Sequence, residues 1–176
     1  MFNNRLAELP PSITACSNMK EINVSVNKLT ALPRGIGSWS KIIYLDVSSN
    51  ALTELTPQIG LLNTLKELYI SWNEIRSLPA ELGRCARLEI FVCSNNSIER
   101  LPPEMGVMSS LCQLDCNSNE LRVVPPDIGD IDSLEKLDLS ANPVIDELDA
   151  VARQGAKALL KWLRSTEYAN IYRRNA

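Results

Sequence analysis

The chain contains no histidine. That absence removes Ser-His and Cys-His nucleophiles and every His-ligated metal, because imidazole is the side chain whose ordinary pKa suits proton exchange near neutrality. No P-loop and no G-x-S-x-G motif is present either, so neither a nucleotide hydrolase nor a serine hydrolase is expected. No apolar run approaches the roughly 20 residues needed to span a bilayer. The opening Met1-Phe2-Asn3-Asn4-Arg5 leads into no apolar signal core, so a secretory signal is unsupported. There is no basic excess: 18 Lys and Arg stand against 21 Asp and Glu, for a formal charge of −3. A nucleic-acid partner, which needs phosphate neutralisation, is not expected. Aromatic residues make up only 5% of 176, so where they fall carries information. The length bounds the chain at one domain, or one domain with an appendage.

What the sequence does have is a repeat. Asparagine recurs at Asn4, Asn27, Asn50, Asn73, Asn96, Asn119 and Asn142, every step 23 residues. Before it runs L-x-x-L-x-L-x-x-N, as in Leu65-Leu68-Ile70-Asn73 and Leu134-Leu137-Leu139-Asn142. Two places after it stands an apolar residue, followed by Leu-Pro at Leu9-Pro10, Leu32-Pro33, Leu78-Pro79 and Leu101-Pro102. An apolar-Gly pair closes each unit: Ile36-Gly37, Ile59-Gly60, Leu82-Gly83, Met105-Gly106 and Ile128-Gly129. The alternation predicts a short strand with one face buried. Connections that cross over make the stacked strands parallel. The Asn column predicts a hydrogen-bonded ladder where the chain leaves each strand. The Pro and Gly columns predict a short helical or 3₁₀ return on the convex side. One unit cannot bury its own apolar edge, so the core exists only in the stack.

These columns make the chain resemble intracellular leucine-rich-repeat proteins of the Ras-group, Shoc-like and plant intracellular 23-residue class. The resemblance covers about residues 1–145. It implies an α/β fold: a horseshoe solenoid with a concave parallel β-sheet, convex short helical or 3₁₀ turns and a C-terminal helical cap. The expected division is a repeat domain over 1–145 and a cap and tail over 146–176. The repeat domain opens with a partial repeat, and full repeats start near 19, 42, 65, 88, 111 and 134. The family implies a non-catalytic interaction module or signalling scaffold with a protein partner, and small GTPases, phosphatases and kinases as partner classes. The same unit occurs in repeat domains attached to larger enzymes. A regulatory domain excised from a Roco-type GTPase, kinase or ubiquitin ligase is therefore the alternative.

The two ends read differently. After Asn142 the period stops, and Leu148, Val151, Ala152, Leu159 and Leu163 recur at helical spacing, predicting one helical stretch with Gly155 inside it. Ser165 and Thr166 are candidate caps for a second helix carrying Tyr168, Ile171 and Tyr172. At the start, Met1 falls in the inward column of Val24, Val47 and Ile70, so the strand near Ile22-Val24 is expected to be an open edge. Such an edge is a pairing hazard and a route to a homodimer.

Function in a solenoid lies mainly on its concave face. Period two assigns three outward columns. The first is Glu21, Tyr44, Glu67, Ile90, Gln113 and Lys136. The second is Asn23, Asp46, Tyr69, Val92, Asp115 and Asp138. The third is Ser25, Ser48, Ser71, Ser94, Asn117 and Ser140. Tyr44, Tyr69, Trp72, Ile90 and Val92 are expected to form one exposed aromatic and apolar patch, framed by acids that include Asp46, Glu67 and Asp115. Exposed apolar patches and Tyr or Trp anchors mark protein interfaces. The acids read as a solvated face, not as a catalytic or metal centre, and no cofactor is expected. Cys16, Cys85, Cys93 and Cys116 read as small buried hydrophobes and Cys112 as an exposed thiol. Five cysteines without a disulfide pattern or a signal fit a reduced, cytoplasmic protein.

Overall fold

The computed structural model describes residues 1–175. Six three-residue strands follow one another along the chain: β1 (Glu21–Asn23), β2 (Tyr44–Asp46), β3 (Glu67–Tyr69), β4 (Ile90–Val92), β5 (Gln113–Asp115) and β6 (Lys136–Asp138). They form one open parallel sheet in sequence order. Each strand is displaced from the last by one 23-residue period, so Leu45, Leu68, Phe91, Leu114 and Leu137 line up in register. Opposite the sheet runs a row of 3₁₀ turns: Pro11–Ala15, Ile36–Ser38, Pro57–Leu61, Ala80–Arg84, Pro103–Val107 and Pro126–Asp130. Pro stands at the start of four of them, where its fixed φ suits the turn and its missing N–H is not needed.

The core fills the space between sheet and turns. Val24, Val47, Ile70, Cys93, Cys116 and Leu139 are all buried in one ladder. The turn residues Ile36, Ile59, Leu82, Met105 and Ile128 meet them from the far side. The glycine column has a steric cause. A Cβ at Gly60 would overlap the Glu81 carbonyl, and one at Gly83 would overlap that of Glu104. Consecutive turns therefore pack backbone against backbone.

The asparagine ladder is continuous from Asn27 to Asn142. Asn73 is representative: its Nδ2 donates to the carbonyls of Ile70 (3.0 Å) in its own repeat and Val47 (3.1 Å) in the preceding one. Its Oδ1 accepts from Leu52 N–H at 3.0 Å. One side chain thus satisfies backbone groups of two repeats where neither helix nor sheet does so.

Three helices follow: α1 (Asp146–Ala152), α2 (Ala156–Leu163) and α3 (Thr166–Asn175). The single stretch expected over 146–164 is divided at Gly155, whose φ of 101° no other residue type adopts readily. Beyond Gly155, α2 lies against the last 3₁₀ turn, with Leu160 and Leu163 beside Gly129. Ser165 caps α3 by accepting from Tyr168 N–H at 3.1 Å. Tyr168 is fully buried, and its hydroxyl donates to Val124 O (2.5 Å) and accepts from Val124 N (3.0 Å).

Three expectations need correction. Cys16 is exposed, although Trp39, Leu62, Cys85, Met108 and Ile131 of the same column are buried. The first 3₁₀ turn packs against a neighbour on one side only, so its column position is not enclosed. Met1 shares the inward column but is 65% exposed. Its ammonium donates to Asn23 O, and Asn3 and Asn4 N–H groups donate to Ser25 and Val26, so the chain's first residues line part of the β1 edge. The serine column is outward only in part: Ser25, Ser71 and Ser94 are buried, Ser48 and Asn117 half-buried, and Ser140 exposed.

Candidate concave-face interface

The outward residues of β2, β3 and β4 lie in two rows fixed by strand register. Tyr44, Glu67 and Ile90 form one row; Asp46, Tyr69 and Val92 form the other. On β2 and β3 the register makes a checkerboard, with each tyrosine beside a carboxylate on the neighbouring strand. The Tyr44 and Tyr69 rings meet diagonally, their centroids 5.5 Å apart and their planes tilted by 42°. The Tyr69 hydroxyl donates to Glu67 Oε2 at 2.9 Å, and that of Tyr44 reaches Asp46 Oδ2 at 3.4 Å. Burial, then the Glu67 carboxylate, pushes the Tyr69 hydroxyl up to about 12. Burial, then Asp46, also raises Tyr44. Both hydroxyls are neutral donors at physiological pH.

Trp72 stands three residues beyond Tyr69 and is 64% exposed. Its φ is 57°, and every repeat is left-handed at this point, from Asn3 and Val26 to Ala141. Asn tolerates that conformation; a bulky aromatic adopts it at a cost. The structure thus brings Tyr44, Tyr69, Trp72, Ile90 and Val92 onto three adjacent strands and their exits, with the four strand residues half-buried and Trp72 projecting. Asp115 sits one strand beyond Val92 in the same row.

The acids of the second row have a duty that the column reading missed. Asp46 Oδ1 accepts from Ser48 N–H (2.9 Å), Asp115 Oδ1 from Asn117 (3.0 Å), Asp138 Oδ1 from Ser140 (2.9 Å), and Asn23 Oδ1 from Ser25 (3.0 Å). Each closes a turn at the strand exit. The signal was visible as Asx-x-Ser or Asx-x-Asn in four repeats. Repeats three and four depart from it: Tyr69 and Val92 replace the Asx and provide no such acceptor. Ser71 and Ser94 instead share a buried Oγ–Oγ bond of 3.0 Å. Asp46 and Asp115 therefore hold the backbone, while Tyr69 and Val92 are where the chain gives that bond up.

The cysteines lie away from this face. Cys93 and Cys116 thiols are 3.3 Å apart in the core, all five cysteines are free, and Cys112 is exposed. Hydrogen bonding to Cys93, then burial, raises the Cys116 thiol well above its ordinary value. Among the described residues no helix is long and apolar enough to cross a membrane.

Comparison with known proteins agrees with the repeat reading. The family profile described as Leucine Rich Repeat matches residues 64–85. A Leptospira interrogans LRR protein superposes with a TM-score of 0.82 at 31% identity, over 86% of this chain and 38% of that one. The plant peptide hormone receptor RGFR1, solved in complex with RGF2, superposes with a TM-score of 0.72 at 27% identity, over 78% of this chain and 23% of the receptor. The chain thus spans well under half the length of either structure. No curated protein sequence matches it. In repeat and in architecture, the chain is a leucine-rich-repeat solenoid.

Proposed function

We propose that the protein is a non-catalytic interaction module, a scaffold that binds a protein partner on its concave face. Tyr44, Tyr69, Trp72, Ile90 and Val92 act as anchors, with Asp46, Glu67 and Asp115 at their border. The observation that carries this reading is the break in the strand-exit pattern. Two adjacent repeats forgo a backbone-closing Asx for an outward tyrosine and valine, and an exposed tryptophan follows in a left-handed conformation. Each choice costs stability in the isolated chain, and all fall on one patch. A rigid sheet that presents aromatic anchors fits binding by pre-organisation.

We read the 23-residue period as that of the Ras-group class, and with that reading go a cytoplasmic setting and small GTPases, phosphatases or kinases as partner classes. The plant receptor with RGF2 is a precedent for a peptide ligand on this architecture. A regulatory repeat domain within a larger enzyme would use the same face. Self-association at the β1 edge is a second reading, favoured by Met1 and Phe2, which are 65% and 59% exposed beside that edge. Affinity capture from native extract, with the Tyr69→Ala/Trp72→Ala double variant alongside, tests the main reading. A partner held by the wild type and lost by the variant is expected. A partner held equally by both would move the site off the concave face.

A further inference from the structure

The outward strand residues carry a lopsided charge. The first two columns hold the acids Glu21, Asp46, Glu67, Asp115 and Asp138 against one base, Lys136 on β6. Neither Asp46 nor Glu67 has a cation of this chain within salt-bridge distance; the ion pairs among the described residues involve Glu89, Asp149, Asp130 and Asp132. The tyrosine hydroxyls do not neutralise these carboxylates. They orient them, and Tyr69 occupies only Oε2 of Glu67. Two carboxylates therefore sit diagonally between two tilted rings, with a projecting indole at the strand exit and an aliphatic pair, Ile90 and Val92, on the next strand.

Resting on the reading of the concave face as an interface, we propose that this patch receives an arginine side chain, presented by a segment of the partner protein with an apolar residue beside it. A guanidinium is flat and weakly hydrated. It stacks on an aromatic face while its edge N–H groups bond carboxylates, a combination an ammonium matches less well. Trp72, Tyr44 and Tyr69 offer the faces and Glu67 the acceptor; Asp46, whose oxygens already accept from Ser48 N–H, Asn23 Nδ2 and the Tyr44 hydroxyl, adds negative charge. Ile90 and Val92 take the apolar neighbour and keep water from the pair. An acidic or phosphorylated segment meets like charge at Asp46 and Glu67 and is rejected.

A phage-displayed library of random 12-residue peptides, selected on the whole chain, tests the assignment. Enriched peptides are expected to share an arginine beside an apolar residue. Replacing that arginine by glutamine should weaken binding at least tenfold, as should Glu67→Gln or Tyr69→Ala in the protein; Arg→Lys should weaken it less than Arg→Gln. Unchanged circular dichroism and melting of Glu67→Gln would show that the fold is intact. Peptides without a basic residue that still depend on Tyr69 and Trp72 would overturn the arginine assignment and leave the concave interface standing. Peptides indifferent to every concave substitution, or no enrichment at all, would overturn the assignment; indifference would also remove the interface reading.

Discussion

At the C-terminal end the last 3₁₀ turn is covered: α2 sets Leu160 and Leu163 on Gly129, and the Arg164 side chain bonds the Gly129 carbonyl and Asp132. At the N-terminal end the first turn has one neighbour, Cys16 is exposed, and Met1 and Phe2 face solvent. The column that begins at Cys16 ends at a buried Ile131, so the same repeat position is core at one end and surface at the other. Burial in a solenoid belongs to the stack and not to the unit.

Truncation separates the ends most strongly. Leu163→Ala, fully buried in the covering helix, should cost about 2–5 kcal/mol through the cavity left behind. Ile13→Ala, in the first turn, should cost less, because a partly open site can collapse or admit water. Urea denaturation measures both, and equal costs would break the comparison. Next comes Tyr168→Phe. It leaves Val124 N–H without its partner in a buried site and should cost about 1–3 kcal/mol. Burial raises the Tyr168 hydroxyl to about 12 from its ordinary 10.0. The folded state thus holds its proton more tightly, and this contribution is whole below pH 10 and lost as pH climbs from 10 through about 12. The stability gap between wild type and variant should narrow over that window; a gap constant to pH 12 would mean that Tyr168 does not anchor the end. The third effect is kinetic. A thiol reagent should modify Cys16 and Cys112 at once, and Cys85, Cys93 and Cys116 only as the stack opens. Peptide mapping of early label on Cys85 would show that the interior turns are no better enclosed than the first.

Much of this was legible in the sequence because the repeat averages noise away. Seven asparagines at one spacing fix the register, and Val24 to Leu139 follow as the inward ladder. What was not legible depends on neighbours that one period does not encode. Cys16 reads as core by its column yet lacks a second neighbour. The helix over 146–164 reads as continuous until Gly155 takes a positive φ. The serine column reads as outward by alternation, but the strand ends after three residues and the chain turns, so Ser71 and Ser94 close over the core. Tyr44, Tyr69 and Trp72 were readable as a group because each is the one aromatic residue in its column.

The smallest expected effect bears on why Trp72 is exposed, as Leu61 and Val107 are on the convex turns and Met1 and Phe2 at one end. At Trp72 the left-handed φ favours asparagine, as at Asn95 one repeat on, and 64% of the indole is exposed. Trp72→Asn should therefore leave stability unchanged or raise it by about 0.5 kcal/mol, since it relieves backbone strain and gives up little packing. A loss above about 1 kcal/mol in urea denaturation would mean that the indole packs on the chain itself, and its exposure would then need no partner. A neutral or stabilising change, with loss of a concave-face ligand in the same variant, would show that the indole is exposed because a partner covers it, and not because the fold needs it there.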